Sequence, residues 1–129
     1  MTADLASPAP QAVAADEYLP ESEIWRALVL GTRDYVRKCG FRSVIIGISG
    51  GIDSSLVAAV AASALGPENV LGVLLPSPHT SAASIEDAEQ LADNLGIRRC
   101  CIPITPMMET FSSRLAGVFS GMPRDTTEE

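Results

Sequence analysis

The sequence lacks the features of several large classes of protein. Its nine lysines and arginines are scattered, and its formal net charge is −7, so it offers no basic stripe for the backbone of a nucleic acid. No apolar run approaches the roughly 18 residues of a membrane-spanning helix. The first residues have neither a basic start nor an apolar block, so we predict no signal peptide. We therefore expect neither a nucleic-acid partner nor a membrane partner.

Cysteine is also scarce. The three cysteines, Cys39, Cys100 and Cys101, are odd in number, and no CxxC or HxxxH spacing predicts a metal cluster. Cys100 and Cys101 fall in an apolar run, which favours small buried side chains in a reducing compartment over catalytic or disulfide-bonded ones. The cysteine content therefore predicts a cytoplasmic protein.

What is present is a single small domain. The 129 residues are 47% hydrophobic and 19% charged, which is typical of a globular chain that buries one core. Residues 1–20 are rich in alanine and proline and have no hydrophobic period, so we predict a flexible tail or linker there. The predicted folded part is residues 21–129.

Helix and strand patterns alternate along the folded part. Ile24, Leu28 and Tyr35 mark one face of the first helix, and Ser84 can cap the third. The predicted elements are a helix at Glu21–Cys39, a strand at Ser43–Ile48, a helix at Asp53–Leu65, a strand at Val70–Leu75, a helix at Ser84–Leu95, a strand at Arg99–Ile104 and a helix at Pro106–Phe119.

This alternation predicts the α/β class, with right-handed βαβ units and an open, doubly wound parallel sheet of the Rossmann-like type. The first two strands are apolar on both faces, as expected for strands covered on both sides. With about three strands, where sheets often have about five, the sheet is predicted to be incomplete.

The most informative stretch joins the first strand to the second helix and reads "SVIIGISGGIDSSLVAAV", from Ser43 to Val60. Adjacent glycines let the backbone adopt positive φ and approach a ligand closely. The free N–H groups of the following helix then face negative charge. Asp53 can cap that helix or hold a divalent cation, and the serines add hydroxyl donors. An ordinary turn with a capped helix is the alternative.

Two common phosphate loops are excluded. The pattern GxxxxGK[ST] is absent because no lysine follows the glycines, and GxGxxG is absent because the glycines are adjacent. The segment "SGGIDS" instead resembles the SGGxDS loop of the ATP pyrophosphatases, or PP-loop enzymes, which cleave ATP between its α and β phosphates. The resemblance implies ATP and Mg²⁺ as cofactors, with Asp53 at the metal. The ATP-binding residues that it implies are Gly47, Ile48, Ser49, Gly50, Gly51, Ile52, Asp53, Ser54, Ser55 and, on the next loop, Ser77.

A second stretch narrows the resemblance. "GVLLPSPHTSAASIEDAEQLADNLGI", Gly72 to Ile97, is similar to the serine-rich segment after the second strand of NAD⁺ synthetases, although His79 replaces a more usual tyrosine. Upstream, "LVLGTRDYVRKCGF", Leu28 to Phe41, resembles the helix before the ATP loop in the glutamine-dependent members. Ser77 and Ser81 can either bind ATP or hold the loop and cap the helix. His79 is either an exposed loop residue or a nucleotide contact.

The family implies formation of NAD⁺ from deamido-NAD⁺ through an adenylated intermediate, with release of AMP and pyrophosphate. It also implies nitrogen from a glutaminase domain or from ammonia, and a homo-oligomer in the complete enzyme. Segments found later in these enzymes do not appear here, so we expect residues 21–129 to be the N-terminal part of the ATP-binding domain. We expect a fragment that is inactive alone. The alternative is a non-catalytic nucleotide-binding or interaction module of the same fold.

Overall fold

The computed structural model describes residues 19–118 and 120. A 3-10 turn at Pro67–Asn69 precedes the second strand. The elements are α1 (Pro20–Lys38), β1 (Val44–Gly47), α2 (Ile52–Leu65), β2 (Val70–Leu74), α3 (Ala82–Leu95), β3 (Arg98–Cys101) and α4 (Thr105–Leu115). All seven predicted elements are present with shifted ends. The predicted linker at 1–20 lies outside the described residues except for Leu19 and Pro20, and Pro20 already belongs to α1. Phe119, the predicted end of the last helix, also lies outside them.

The three strands form one parallel sheet in the order β1-β2-β3. Val44 is in register with Val70 at one end of the sheet, and Val73 is in register with both Gly47 and Cys100 at the other. Consecutive parallel neighbours require a crossover between them, and α2 and α3 provide the two crossovers. The predicted α/β class with an open parallel sheet is therefore confirmed.

The core lies between one face of this sheet and the helices α2 and α3. Val70 is fully buried at its centre. The core residues are Ile48, Ala58, Ala61, Ala62, Val70, Leu74, Ala88, Ala92 and Ile97. Both crossover helices contribute to this one cluster, so they pack on the same face, as successive crossovers in the same direction require. The described residues therefore show crossover helices on one face of the sheet, whereas the predicted doubly wound sheet has helices on both faces.

The other face of the sheet is more exposed than the apolar strands predict. Ile45 points to it and is 73% exposed, while Leu71 and Val73 are half-buried there. The prediction that β1 is covered on both faces is therefore wrong for the described residues. The apolar composition of the strand predicted burial of both faces, but composition alone does not show which element would pack on each face.

Three smaller predictions also differ from the structure. In α1, Ile24, Leu28 and Tyr35 are exposed, and Val36 is the buried residue of the helix. The N-cap of α3 is Ser81 and not Ser84, because the helix begins at Ala82, two residues before its predicted start. Cys100 is half-buried and Cys101 is exposed, because β3 is an edge strand that ends at Cys101, before Pro103. None of the described helices is long and apolar enough to cross a membrane.

Gly72 explains how the central strand accommodates the residue that leads into the glycine loop. A Cβ atom at Gly72 would lie 2.3 Å from Cδ1 of Ile48. That separation is far inside van der Waals contact, so any side chain at position 72 would displace Ile48. The glycine therefore lets Ile48 lie across β2 and remain 3% exposed.

Val70→Ala tests where the core lies. Removing two methyl groups from a fully buried site should lower the free energy of unfolding by roughly 2 kcal/mol. Val57→Ala is the matched control, because Val57 lies exposed on α2 and its truncation should change stability by less than about 0.5 kcal/mol. Urea denaturation followed by circular dichroism measures both. Equal effects of the two substitutions would contradict this placement of the core.

Candidate functional site

A cleft opens at the carboxyl ends of β1 and β2. Its volume is about 550 Å³. The lining residues are Gly47, Ile48, Ser49, Val73, Leu74, Leu75, Pro76, His79, Thr80, Ser81, Ser84, Ile85 and Ala88. They come from the ends of two strands, the β2–α3 loop and the first turns of α3. This is the place where open parallel sheets bind ligands.

The glycine loop, residues 48–53, begins where β1 leaves the sheet. The N–H of Ile48 still donates to the carbonyl of Val73 at 2.9 Å, so the ladder holds the start of the loop. Gly50 then adopts φ +80°, a left-handed conformation that glycine reaches without a steric cost. Gly51 is the N-cap residue of α2. The tight turn predicted from the adjacent glycines is therefore present.

Serine side chains brace this loop from within. The Oγ of Ser54 accepts from the N–H of Ser49 at 3.2 Å and donates to the carbonyl of Gly51 at 3.0 Å. The Oγ of Ser55 donates to the same carbonyl at 2.8 Å. The Oγ of Ser49 accepts from the N–H of Gly51 at 3.3 Å. These hydroxyls, predicted as donors to a ligand, also hold the loop in shape.

The N-terminus of α2 provides the positive potential of the site. Gly51 has no side chain, so no side-chain cap bonds to the N–H groups of the first turn. The α2 helix is 14 residues long, and its dipole places partial positive charge at this end. Among the described lining residues of the cleft there is no lysine or arginine. An anion in this region would therefore be recognised mainly by backbone N–H groups and hydroxyls.

The β2–α3 loop forms the opposite wall of the cleft. The N–H of Ser77 donates to Oγ1 of Thr80 at 2.9 Å, and the N–H of His79 donates to Oγ of Ser77 at 3.1 Å. Ser81 caps α3, since its Oγ accepts from the N–H of Ser84 at 3.1 Å. Both serines whose role the sequence left open therefore have a structural role in this loop, while His79 is exposed and lines the cleft.

The two walls of the cleft meet at Gly50. A Cβ atom there would lie 2.3 Å from the carbonyl oxygen of Ser84 and 3.0 Å from its Cα. The first turn of α3 thus packs directly on the backbone of the glycine loop. No local pattern predicts this contact, because 34 positions separate the two residues along the chain.

The structure brings together some of the ten predicted binding residues and separates others. Gly47, Ile48 and Ser49 line the cleft. Gly50, Gly51, Ile52, Asp53, Ser54 and Ser55 continue from Ser49 through the loop into the first turn of α2. Ser77 is not among the described lining residues and serves its own loop. Sequence reasoning missed Thr80 and Ser84, which line the cleft. The serine- and threonine-rich composition of the loop was the available signal.

Asp53 is the residue predicted to bind a metal. Asp53 is exposed in the first turn of α2. Among residues 19–118 and 120, no group of three or more His, Cys, Asp or Glu side chains is arranged to hold a metal ion. A single carboxylate fits Mg²⁺ only when phosphate oxygens and water supply the other ligands, which is how Mg²⁺ usually binds in nucleotide sites. The residues present therefore fit a metal that arrives with a nucleotide.

A parallel sheet with a glycine loop and a helix N-terminus at its carboxyl edge is the arrangement typical of nucleotide-binding α/β domains. Comparison with known families makes the assignment specific. The family model described as NAD synthase matches residues 24–125. The chain belongs to the NAD synthase family.

Individual relatives agree with the family. The chain is 59% identical over 109 residues to the glutamine-dependent NAD(+) synthetase of Thermotoga maritima, covering 84% of this chain and 19% of that protein. It is 52% identical over 119 residues to the enzyme of that name from Synechocystis, covering 92% of this chain and 21% of the relative. The chain therefore spans about a fifth of the length of these relatives.

A solved structure extends the likeness to the fold. The glutamine-dependent NAD⁺ synthetase from Acinetobacter baumannii, in complex with adenosine diphosphate, superposes with a TM-score of 0.83 at 38% identity. The match covers 95% of this chain and 22% of that chain. The arrangement of strands and helices described above is therefore that of a segment of a larger synthetase.

Gly50→Ala tests the contact between the two walls. The substitution places Cβ against the Ser84 carbonyl and forces a left-handed φ on alanine, so it should lower the free energy of unfolding by roughly 1–3 kcal/mol. Gly31→Ala is the control, because Gly31 lies within α1 and a Cβ there meets no atom within 4 Å. That change should stabilise the chain by up to about 1 kcal/mol. Denaturant midpoints compare the two, and a neutral Gly50→Ala would refute the contact.

Proposed function

We propose that this chain binds ATP as the ATP-binding segment of an NAD⁺ synthetase. One observation carries the proposal: the glycine loop and the uncapped first turn of α2 lie at the carboxyl edge of the sheet, directly beside the cleft. The triphosphate lies against the loop, and the nucleoside occupies the cleft. Because the lining has no lysine or arginine, backbone N–H groups carry the recognition of phosphate.

Each part of the loop has a distinct task in this proposal. Gly50 and Gly51 let the backbone approach the phosphates without a side chain between them. Ser49, Ser54 and Ser55 fix the N–H directions, because their hydroxyls already bond within the loop. Gly47 and Ile48 shape the wall under the nucleoside, Ile52 starts the helix whose dipole faces the phosphates, and Ser77 holds the loop opposite. Preorganised donors of this kind stabilise charge that develops on a leaving pyrophosphate.

Asp53 is the proposed ligand of Mg²⁺. The metal, when bound with the nucleotide, neutralises charge on the phosphate oxygens and favours departure of pyrophosphate. The exposed carboxylate in the first turn of α2 would bind the metal. When the metal is absent, its negative charge interacts favourably with the positive end of the helix dipole and stabilises α2.

The reaction proposed for the complete enzyme is ATP-dependent formation of an amide. Deamido-NAD⁺ is adenylated with release of pyrophosphate, and nitrogen from a glutaminase domain or from ammonia then displaces AMP to give NAD⁺. The glutamine-dependent relatives favour glutamine as the source. Since this chain spans about a fifth of their length, we expect little or no NAD⁺ formation from the 129 residues alone.

The compartment, the assembly and the excluded partners complete the proposal. The three described thiols are all unpaired, which suits a reducing cytoplasm. The complete enzyme is proposed to act as a homo-oligomer, in line with the family resemblance. The net charge of −7 suits neither a nucleic acid nor an anionic membrane as partner.

Titration calorimetry of the chain with ATP and Mg²⁺ tests the proposal. We expect saturable binding of ATP in the presence of Mg²⁺. Asp53→Ala should weaken this binding at least about tenfold, because one metal ligand is lost. Without Mg²⁺, the affinities of the unsubstituted chain and of Asp53→Ala should differ less. Asp34→Ala is the matched control, since Asp34 is also an exposed helical aspartate but belongs to α1. Its affinity should equal that of the unsubstituted chain.

The outcomes separate the candidate functions. Magnesium-dependent binding that is weakened at least about tenfold in Asp53→Ala supports the ATP-binding segment. Binding that ignores Mg²⁺ and Asp53 favours a non-catalytic nucleotide-binding module. No binding by folded protein would contradict ATP binding by this chain.

A further inference from the structure

The β2–α3 loop contains one tight turn, residues 77–80, beside the cleft. Pro78 and His79 are its two central residues, and the N–H of Thr80 donates to the carbonyl of Ser77 at 3.1 Å to close it. Proline suits the first central position of such a turn, because its ring fixes φ near the value required there. The residue types of this segment therefore favour the turn locally.

Side chains reinforce the 77–80 turn. The N–H of Ser77 donates to Oγ1 of Thr80 at 2.9 Å, and the two hydroxyl oxygens lie 3.2 Å apart. The N–H of His79 donates to Oγ of Ser77 at 3.1 Å. Just before the turn, the carbonyl of Pro76 accepts from the N–H of Ile104 at 3.0 Å, and the capped first turn of α3 follows directly. The backbone that carries His79 is therefore fixed from within and at both ends.

His79 brings an aromatic ring to the cleft. It is exposed and lines the cleft, and its imidazole is the only aromatic ring among the described lining residues. The apolar part of the lining is otherwise aliphatic and includes Ile48, Leu75 and Ile85. Within this lining, a flat aromatic ligand would therefore find one side chain that can stack on its face.

The place of His79 on the β2–α3 wall favours the nucleoside over the phosphates as its contact. The glycine loop and the N-terminus of α2 form the other wall, and the triphosphate is proposed to lie against them. Of that loop, Ile48 and Ser49 line the cleft, so the 77–80 turn borders the space that remains for the nucleoside. Nucleobases stack on aromatic side chains, histidine included, because both present a flat π face.

From the braced turn and the single ring in the cleft lining, we infer that the imidazole of His79 stacks on the base of the bound nucleotide. Ser77 is then a positioning residue that acts through His79, because its hydroxyl already bonds within the turn. This inference rests on the proposed binding of ATP and adds to it a side chain that contacts the nucleoside.

Titration calorimetry with two probes, ATP and inorganic pyrophosphate, each with Mg²⁺, tests the stacking. His79→Ala should weaken ATP binding about tenfold, because a stacking contact is lost. It should leave pyrophosphate binding unchanged, because pyrophosphate has no base. His79→Phe should retain the affinity for ATP, since phenylalanine keeps an aromatic ring. Tyr35→Ala is the matched control: it removes a ring that is 71% exposed on α1, away from this cleft, and should not change the affinity.

A double-mutant cycle tests the role of Ser77. Ser77→Ala should weaken ATP binding on its own, but it should cause no further loss when it is combined with His79→Ala. A direct contact between Ser77 and ATP would instead give losses that add. Circular dichroism of all the variants checks that they are folded, and unchanged pyrophosphate binding checks that the glycine loop is intact.

Several results would overturn the inference. Unchanged ATP affinity in His79→Ala would refute the stacking and leave the proposed function standing. An equal loss for ATP and pyrophosphate would place the imidazole at the phosphates, and a loss in His79→Phe as large as in His79→Ala would show that the ring face is not the contact. Additive losses in the cycle would overturn the positioning role of Ser77. Absence of ATP binding by the folded, unsubstituted chain would contradict the proposed function together with this inference.

Discussion

The structure is built around the close approach of α2 and α3 to the central strand. The helices present alanine to the sheet, with Ala58 and Ala92 fully buried. A methyl group keeps a helix nearer to the sheet than a leucine would, and a small side chain loses little rotamer freedom on burial. Both helices therefore lie close to β2 and close to each other.

The geometry of the candidate site follows from that packing. Because α2 and α3 share one face of the sheet, their N-termini reach the same edge, and the first turn of α3 meets the glycine loop at Gly50. Gly72 allows Ile48 to lie across β2, so the residue that opens the loop is also part of the core. Substitutions in the core and in the loop are thus expected to influence each other, since the contacts are continuous.

The electrostatic potential at the candidate site depends on nearby groups more than on the net charge of the chain. The chain carries a net charge of −7, and the described lining of the cleft has no lysine or arginine. Oriented N–H groups at a helix terminus nevertheless give a positive potential over a few ångströms, where the repulsion from distant carboxylates is screened by salt. An acidic protein can in this way bind an acidic ligand, and its selectivity then depends on backbone geometry more than on charge.

Sequence patterns were enough to predict the class of fold, the order of its elements and the position of the glycine loop. These follow from local properties: hydrophobic period, the glycines that end helices at Leu65 and Leu95, and the adjacent glycines before α2. These local properties did not predict which of two apolar faces of α1 is buried. Ile24, Leu28 and Tyr35 have the right spacing for burial, yet Trp25, Val29 and Val36 are the residues that face α2.

The folded chain was needed to show which apolar surface is covered, which serine caps α3 and which part of the chain contacts Gly50. Each of these depends on contacts between residues far apart in the sequence, such as Gly50 with Ser84 and Arg33 with Ala64. A hydrophobic period records that a surface is apolar but not what packs against it. The partner is fixed by the volumes and directions of several elements at once, and those exist only when the chain has folded.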